Sequence, residues 1–363
     1  MRSQPIVPST NSTQSPLIIG ALLPLTGASS SFGEELRNAI DLAVQDVNSQ
    51  GGINGRLLKI IYEDDQCDPK TGVTAITKLI EVDAVKIVLG SWCSGVVVAE
   101  GPVAESHKVI VMAEGISPKI STLGDYIFRI QPSASFYMKD ASAYVRSLGI
   151  SRAGIIFGNH EFGVSVKDSF TKEFTSAGGR VVESQPYDQG AADLRTQLTK
   201  IASVKPDLLF VIGYQPDNIN IIKQLHDLGI TARVMATPTI ETKATLDALG
   251  NLSEEIIYPY HFDEKANPSS SEFVKRFTET FGKPPSGFAP LMYDGTRIIS
   301  EALQVCANRK QNQESDTNCI KETLYKIKYN GIVGTVTFDS NGDPSVPIYI
   351  REIKGGAFGR VKH

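Results

Sequence analysis

The residues best placed to do chemistry lie in one stretch, Lys86-Ile-Val-Leu-Gly-Ser-Trp-Cys-Ser-Gly-Val-Val-Val-Ala-Glu100. Its apolar run, Ile87 to Leu89, reads as a strand. The run breaks at Gly90-Ser91 and resumes as a helix from Ser94. A strand, a turn and a helix that opens on a hydroxyl aim free backbone N–H groups and the positive end of the helix dipole at one spot, which suits a small anion. Two readings of Ser94 stand. It is the floor of a ligand pocket, with Cys93 fixing the turn beneath it, or it simply caps its own helix.

Other chemistries lack their residues. No Gly-x-Gly-x-x-Gly follows the first strand or lies in Gly90-Ser-Trp-Cys-Ser-Gly95, and no Walker sequence or Gly-x-Ser-x-Gly occurs. The five histidines, His107, His160, His226, His261 and His363, have no metal spacing among them. His160 sits in a loop at a strand end, where it is either a ligand contact or a solvated side chain. The acidic run Glu63-Asp64-Asp65 lacks EF-hand spacing and reads as a solvated strand end. Neither a metal nor a cofactor is expected.

The elements that must position Ser94 alternate. Strands are expected over Leu17 to Leu23, Leu57 to Tyr62, Ile87 to Leu89 and Val109 to Met112. Amphipathic helices lie between them, the first marked by Leu36, Ile40, Ala43, Val44 and Val47. Ser31 and Glu34 have capping-box spacing at its start. The pattern restarts with strands at Ala153 to Phe157, Arg180 to Ser184, Leu208 to Ile212 and Val234 to Ala236, again with helices between. Strands alternating with helices over short connections imply parallel sheets covered on both faces, with ligands beyond the carboxyl ends of the strands. The loops at 25–33, 90–94 and 113–118 lie at those ends, as do those at 159–163, 213–217 and 237–241. A further strand, Ile256 to Tyr260, precedes helices at Ser270 to Phe281 and Met292 to Ala307. Strands at Val333 to Phe338 and Val346 to Ile350, with a turn at Asp339-Ser-Asn-Gly-Asp343, end the pattern.

The 363 residues suffice for two domains, and a net charge of −4 without a basic block excludes nucleic acid as a partner. No apolar run is long enough to span a membrane. Residues 1–16, rich in Ser, Thr, Pro and Gln, read as a disordered linker, either an anchor remnant or a cloning remnant. Four cysteines allow three pairings, and proximity favours Cys67 with Cys93 and Cys306 with Cys319. Closing a loop as short as the second is worth roughly 3 kcal/mol. Four reduced cysteines in a cytosolic protein remain the alternative.

Several stretches together carry a resemblance: Ile-Gly-Ala-Leu-Leu-Pro-Leu-Thr-Gly27, Phe-Gly33, Asp-Val-Asn-Ser-Gln-Gly-Gly-Ile-Asn-Gly55, Asp-Asp-Gln-Cys-Asp-Pro69, Trp-Cys-Ser-Gly95, Pro-Val-Ala-Glu105 and Tyr293-Asp294. Each is weak alone, but their order and spacing over residues 17 to 352 are specific. The chain resembles the periplasmic substrate-binding proteins of the leucine/isoleucine/valine class that serve ABC importers. The resemblance implies an α/β fold of two doubly wound parallel-sheet lobes joined by three crossovers, near 131–133, 259–261 and 340–345. Lobe one would be 17–131 plus 261–340, and lobe two 132–260 plus 341–363. It also implies a Cys67–Cys93 disulfide, and a ligand carboxylate held by Ser94 and by the loop at 113–117, where Gly115, Ile116 and Ser117 offer amides. Aromatic walls would come from Phe32, Trp92, Phe162 and Tyr214.

The chain departs from that family where the ligand's other end would sit. The usual Ala-Ala-Thr-Ser-Pro loop reads Glu114-Gly-Ile-Ser-Pro118, so Ile116 replaces a threonine. The family's lobe-two acid has only Glu241 as a counterpart, displaced by about two or three positions. Glu114 would supply the charge from the opposite lobe. Alternatively the ligand carries no α-ammonium and is an aromatic or aliphatic carboxylate, or an amide. The function expected is an extracytoplasmic, periplasmic receptor of an ABC importer. It would act as a monomer, close on an amino acid or related small carboxylate and dock on permease subunits; the linker could tether it to a membrane. A ligand-sensing module of a signalling system is the alternative, and an enzyme is disfavoured.

Overall fold

The computed structural model describes residues 14–309 and 315–361. The expected linker therefore falls almost wholly outside the described residues, as does most of the loop after residue 309.

Two sheets organise the chain. The first runs β2-β1-β3-β4-β5, all parallel, from β1 (Leu17–Leu23), β2 (Leu58–Asp64), β3 (Ile87–Gly90), β4 (Ile110–Ala113) and β5 (Ile127–Arg129). Between its strands run α1 (Ser30–Ser49), α2 (Pro69–Glu81) and α3 (Ser94–Ser106). Every residue of β3 and β4 is buried, as a strand with helices on both faces must be. α2 packs on α3, and α1 packs on a later helix, α10.

After β5 the chain leaves this sheet. α4 (Ala134–Ser147) already packs beside elements of the second, formed by β6 (Arg152–Gly158), β7 (Arg180–Tyr187), β8 (Leu208–Ile212), β9 (Arg233–Ala236) and β10 (Ile257–Tyr260). These five are parallel, with α5 (Glu161–Ser176), α6 (Arg195–Ser203), α7 (Gln215–Asp227) and α8 (Lys243–Leu249) between them. Then α9 (Pro268–Phe281), α10 (Phe288–Arg309) and α11 (Thr317–Leu324) return to the first sheet. There α10 lies along α1, and Arg276 of α9 pairs with Asp46 of α1 at 2.5 Å. A short hairpin follows, β11 (Tyr329–Gly331) with β12 (Gly334–Val336). Finally β13 (Tyr349–Lys354) pairs antiparallel with β10, and β14 (Ala357–Arg360) with β13, so the second sheet runs β14-β13-β10-β9-β8-β6-β7.

Some local expectations change. The expected strands at Val333 to Phe338 and Val346 to Ile350 meet around the turn at 339–343 only in one antiparallel bridge, Phe338 with Pro344, and form no longer hairpin. The first is shortened into β12, and the second shifts into β13, which has the open edge of β10 to cover. The capping box at Ser31 is absent: α1 begins earlier, after Ser29, with no side-chain cap. The helix expected from Met292 begins at Phe288, since Pro290 fits a first turn that needs no amide there. α4, α11 and β5 had no signal strong enough to be read. Both proximity pairings of the cysteines are disulfides, Cys67–Cys93 and Cys306–Cys319.

In both sheets the strand order reverses beside the first strand of each unit, between β1 and β3 and between β6 and β8. Such a reversal opens a crevice at the carboxyl ends of the strands, and the two crevices face each other.

Candidate functional site

A small cavity lies between the two sheets, which stand close together around it. The first unit contributes Trp92 and Ser94 after β3, and Glu114 and Ile116 after β4. The second contributes Phe162 after β6, Tyr214 after β8, and Pro238 and Thr239 after β9. Gln131, just after β5, and Phe288, at the start of α10, complete the lining.

The turn under Ser94 depends on Gly90. Its φ is +100°, and a Cβ there would sit 2.0 Å from the Leu22 carbonyl oxygen of the neighbouring strand. Only glycine fits such a position. Ser91 Oγ then donates to the buried Asp65 carboxylate, and the Ser91 amide donates to Glu100 Oε1 at 3.3 Å. Burial pushes the Asp65 carboxyl up to about 6 and that of Glu100 up to about 8. The Cys67–Cys93 disulfide ties this turn to the loop after β2.

Ser94 does not cap its helix. Cys93 is the N-cap and Ser94 the first helical residue. Its Oγ instead accepts the amides of Ile116, at 3.0 Å, and Ser117, at 3.3 Å, which leaves the hydroxyl proton for an acceptor in the cavity. Two of the three amides expected to hold a carboxylate beside Ser94, those of Ile116 and Ser117, are thus taken up by Ser94 itself. Gly115 packs against this pair: a Cβ on it would lie 3.1 Å from Ser94 Cα. Ser117 faces away from the cavity and donates from Oγ to Glu161 Oε1 at 2.7 Å.

Four rings form the apolar walls. Trp92 and Tyr214 meet across the gap between the sheets at 5.2 Å, and Phe162 stacks on Tyr214 at 5.1 Å. Phe288 meets Trp92 edge-on at 5.5 Å. Phe32 lies behind Trp92, stacked at 4.4 Å, and orients that ring without lining the cavity. His160 stacks with both Tyr214, at 5.0 Å, and Phe162, at 6.0 Å, and caps α5 through Nδ1. Burial holds its imidazole down at about 4, so it is neutral and supports a wall. Tyr214 OH lies 3.6 Å from Cys67 Sγ, a second link across the gap.

The polar groups sort differently from expectation. Glu241 does not reach the cavity. It lies 3.1 Å from Arg351, accepts from Tyr258 OH at 2.6 Å, and burial lifts its carboxyl to about 7. The displacement that separated it from the family's acid in sequence turns it into the interior of the second unit. Cys93 is sequestered in its disulfide. Glu114, by contrast, lines the cavity, is fully buried, and has no hydrogen-bond partner on either carboxyl oxygen. Burial, with the Glu35 carboxyl adding repulsion, pushes it well above the usual carboxylate range.

Sequence reasoning missed Gln131, Phe288, Thr239 and Arg129. Arg129 closes β5 with its side chain wholly buried. It pairs with Asp343 at 2.6 Å and donates to the Ser117 carbonyl at 2.9 Å and to Ser121 Oγ, anchoring the loop that carries Glu114 and Ile116. A lone arginine in an apolar segment was the available signal.

The sequence matches the profile of the periplasmic binding protein family over residues 16–357. It is 24% identical over 345 residues to Leu/Ile/Val-binding protein homolog 2 of Brucella abortus, covering 92% of this chain and 89% of that protein. The fold superposes on a leucine-binding protein of Thermotoga maritima with a TM-score of 0.88 at 23% identity, covering 95% and 98% of the two chains. On a solute-binding protein of a Rhodopseudomonas palustris ABC transporter, solved with benzoate, the TM-score is 0.87 at 21% identity, with 95% of each chain covered. With the sheet order and the facing crevices already described, these matches place the chain in the periplasmic binding protein family, with the type I fold.

Proposed function

We propose that the protein is the extracytoplasmic solute receptor of an ABC importer and captures an amino acid or a related small solute between two lobes that swing shut. The carrying observation is the cavity itself: it lies between the sheets and is lined from both, so a solute that touches both units stabilises their approach. The lobes are residues 17–131 with 261–340, and 132–260 with 341–363, hinged where the chain passes between the sheets. Trp92, Phe162, Tyr214 and Phe288 wrap the solute's apolar body, and the Ser94 hydroxyl donates to an acceptor on it. In this reading the protein binds its solute without transforming it, in keeping with relatives named for binding. The closed form, a monomer, docks on permease subunits. Relatives named for amino-acid binding and for ABC transport favour import over sensing.

The test is a thermal-shift screen with amino acids, aromatic and aliphatic acids, amines and amides. A solute at a hundredfold its Kd adds about 2.7 kcal/mol of stability, an easily read rise in Tm. No shift from any of them, with no small molecule released on denaturing the purified protein, would refute the reading.

A further inference from the structure

The cavity is lopsided in charge. Glu114 is its one carboxyl, and no lysine, arginine or histidine lines it. Both Glu114 oxygens are buried without a partner. A buried carboxyl left this way is costly, and a protein retains one where something else completes it. Nor does the chain complete it from behind. The titratable groups that act on it are Glu35 of α1, itself acidic and lifted to about 7, and the Tyr137 phenol of α4, whose hydroxyl in turn meets His261 beyond β10. His261 is held neutral, down at about 3, with Nδ1 shared with Tyr137 OH at 2.6 Å. None supplies a cation. For an anionic solute the site has no cation to offer, and the amides of Ile116 and Ser117 already point at Ser94 Oγ. Four aromatic rings complete the surroundings, and ring faces attract cations.

We propose that the Glu114 carboxyl is the polar anchor of this site, and that the solute it selects is an organic ammonium ion whose N–H groups complete that carboxyl, a carboxylate on the solute being dispensable. This rests on the receptor reading and narrows it. An amino acid enters by its nitrogen end, and a simple amine with the same apolar body is nearly as good a ligand. The empty site carries Glu114 protonated, because burial disfavours its charge. Pairing with R–NH₃⁺ requires the carboxylate, so the carboxyl proton leaves to solvent as the ammonium docks.

The experiment is calorimetric titration of the full chain at neutral pH with matched probes: L-leucine, isoamylamine and isocaproate on one apolar body, benzylamine and benzoate on another. The amines bind, isoamylamine within about tenfold of leucine, and each acid binds at least about 100-fold more weakly than its amine. Glu114→Gln weakens the amines by about 10- to 100-fold, the range for a lost charge-assisted bond. Wild-type protein titrated in two buffers of different ionisation heat shows proton release on amine binding, a readout that needs no variant. Acids binding as well as amines, with no proton released, would overturn the proposal and leave the receptor reading intact. Silence from every probe and from the wider screen would overturn both.

Discussion

Glu161 offers the sharpest test of closure. It opens α5 in the second unit, yet its carboxylate is held by the first: Ser117 Oγ donates to Oε1 and Lys119 Nζ lies by Oε2, each at 2.7 Å. A hydrogen bond to a charged acceptor is worth about 1.5–3 kcal/mol. The Lys119 side chain is 65% exposed, so its pairing adds no more than about 1 kcal/mol. If these contacts exist only while the units are together, Glu161→Ala loses about 2 kcal/mol from the closed state, or about 30-fold in solute affinity. Unfolding of the unliganded protein should change by less than about 1 kcal/mol, the usual worth of an acid in a first helical turn. Calorimetric Kd and urea unfolding, measured side by side, separate the two. Lys119→Met should cost only a few-fold in affinity, and that effect should fade with added salt. An unchanged Kd for Glu161→Ala, with the full 2 kcal/mol appearing in stability instead, would show a static structural bridge and refute the reasoning.

Trp92 is the single tryptophan of the chain and lines the cavity. Solute binding should therefore change intrinsic fluorescence saturably, and Trp92→Phe should abolish the change while calorimetry still detects heat. Arg129→Met should lower stability by about 3–5 kcal/mol in urea unfolding, since it strands Asp343 without its partner, and Asp343→Leu in the same chain should restore part of the loss. Glu100 has a folded-state pKa raised by burial from 4.5 to about 8, so the folded protein holds this proton more tightly than the unfolded chain. Its contribution is fully present below about pH 4.5 and is lost as pH rises through about 8. Glu100→Gln lacks this dependence, and the Tm difference in its favour should widen across that window.

Periodicity carried most of the fold because it reports burial directly. Runs such as Ile87 to Leu89 and Leu208 to Ile212 are buried on both faces, and such runs have few alternatives to an interior strand. Segments with mixed patterns escaped it. α4 interleaves Ser, Lys and Asp with its buried face, and β5 is three residues long. The end of the chain was misread because local alternation fixes a strand's faces but not its neighbour. β13 pairs with β10, about ninety residues back, and not with its predecessor.

The site divides along the same line. Strand-end loops were legible, and with them Ser94, Trp92, Glu114, Ile116, Phe162 and Tyr214, all of which line the cavity. Which partner each takes was not. Ser94 had the residue type of a cap, but the loop after β4 brings two amides to its hydroxyl. Glu241 had the charge for an ammonium, but Arg351 and Tyr258 claim it. Phe32 had the ring for a wall, but Trp92 stands in front of it. By itself the sequence determined the two α/β units, the loops that border their crevices and the residue types available there. Only the tertiary structure decided which polar groups are already satisfied by the chain and which, like Glu114, are buried without a partner. Hydrogen bonds saturate through pairings across distant loops, and no local pattern encodes those.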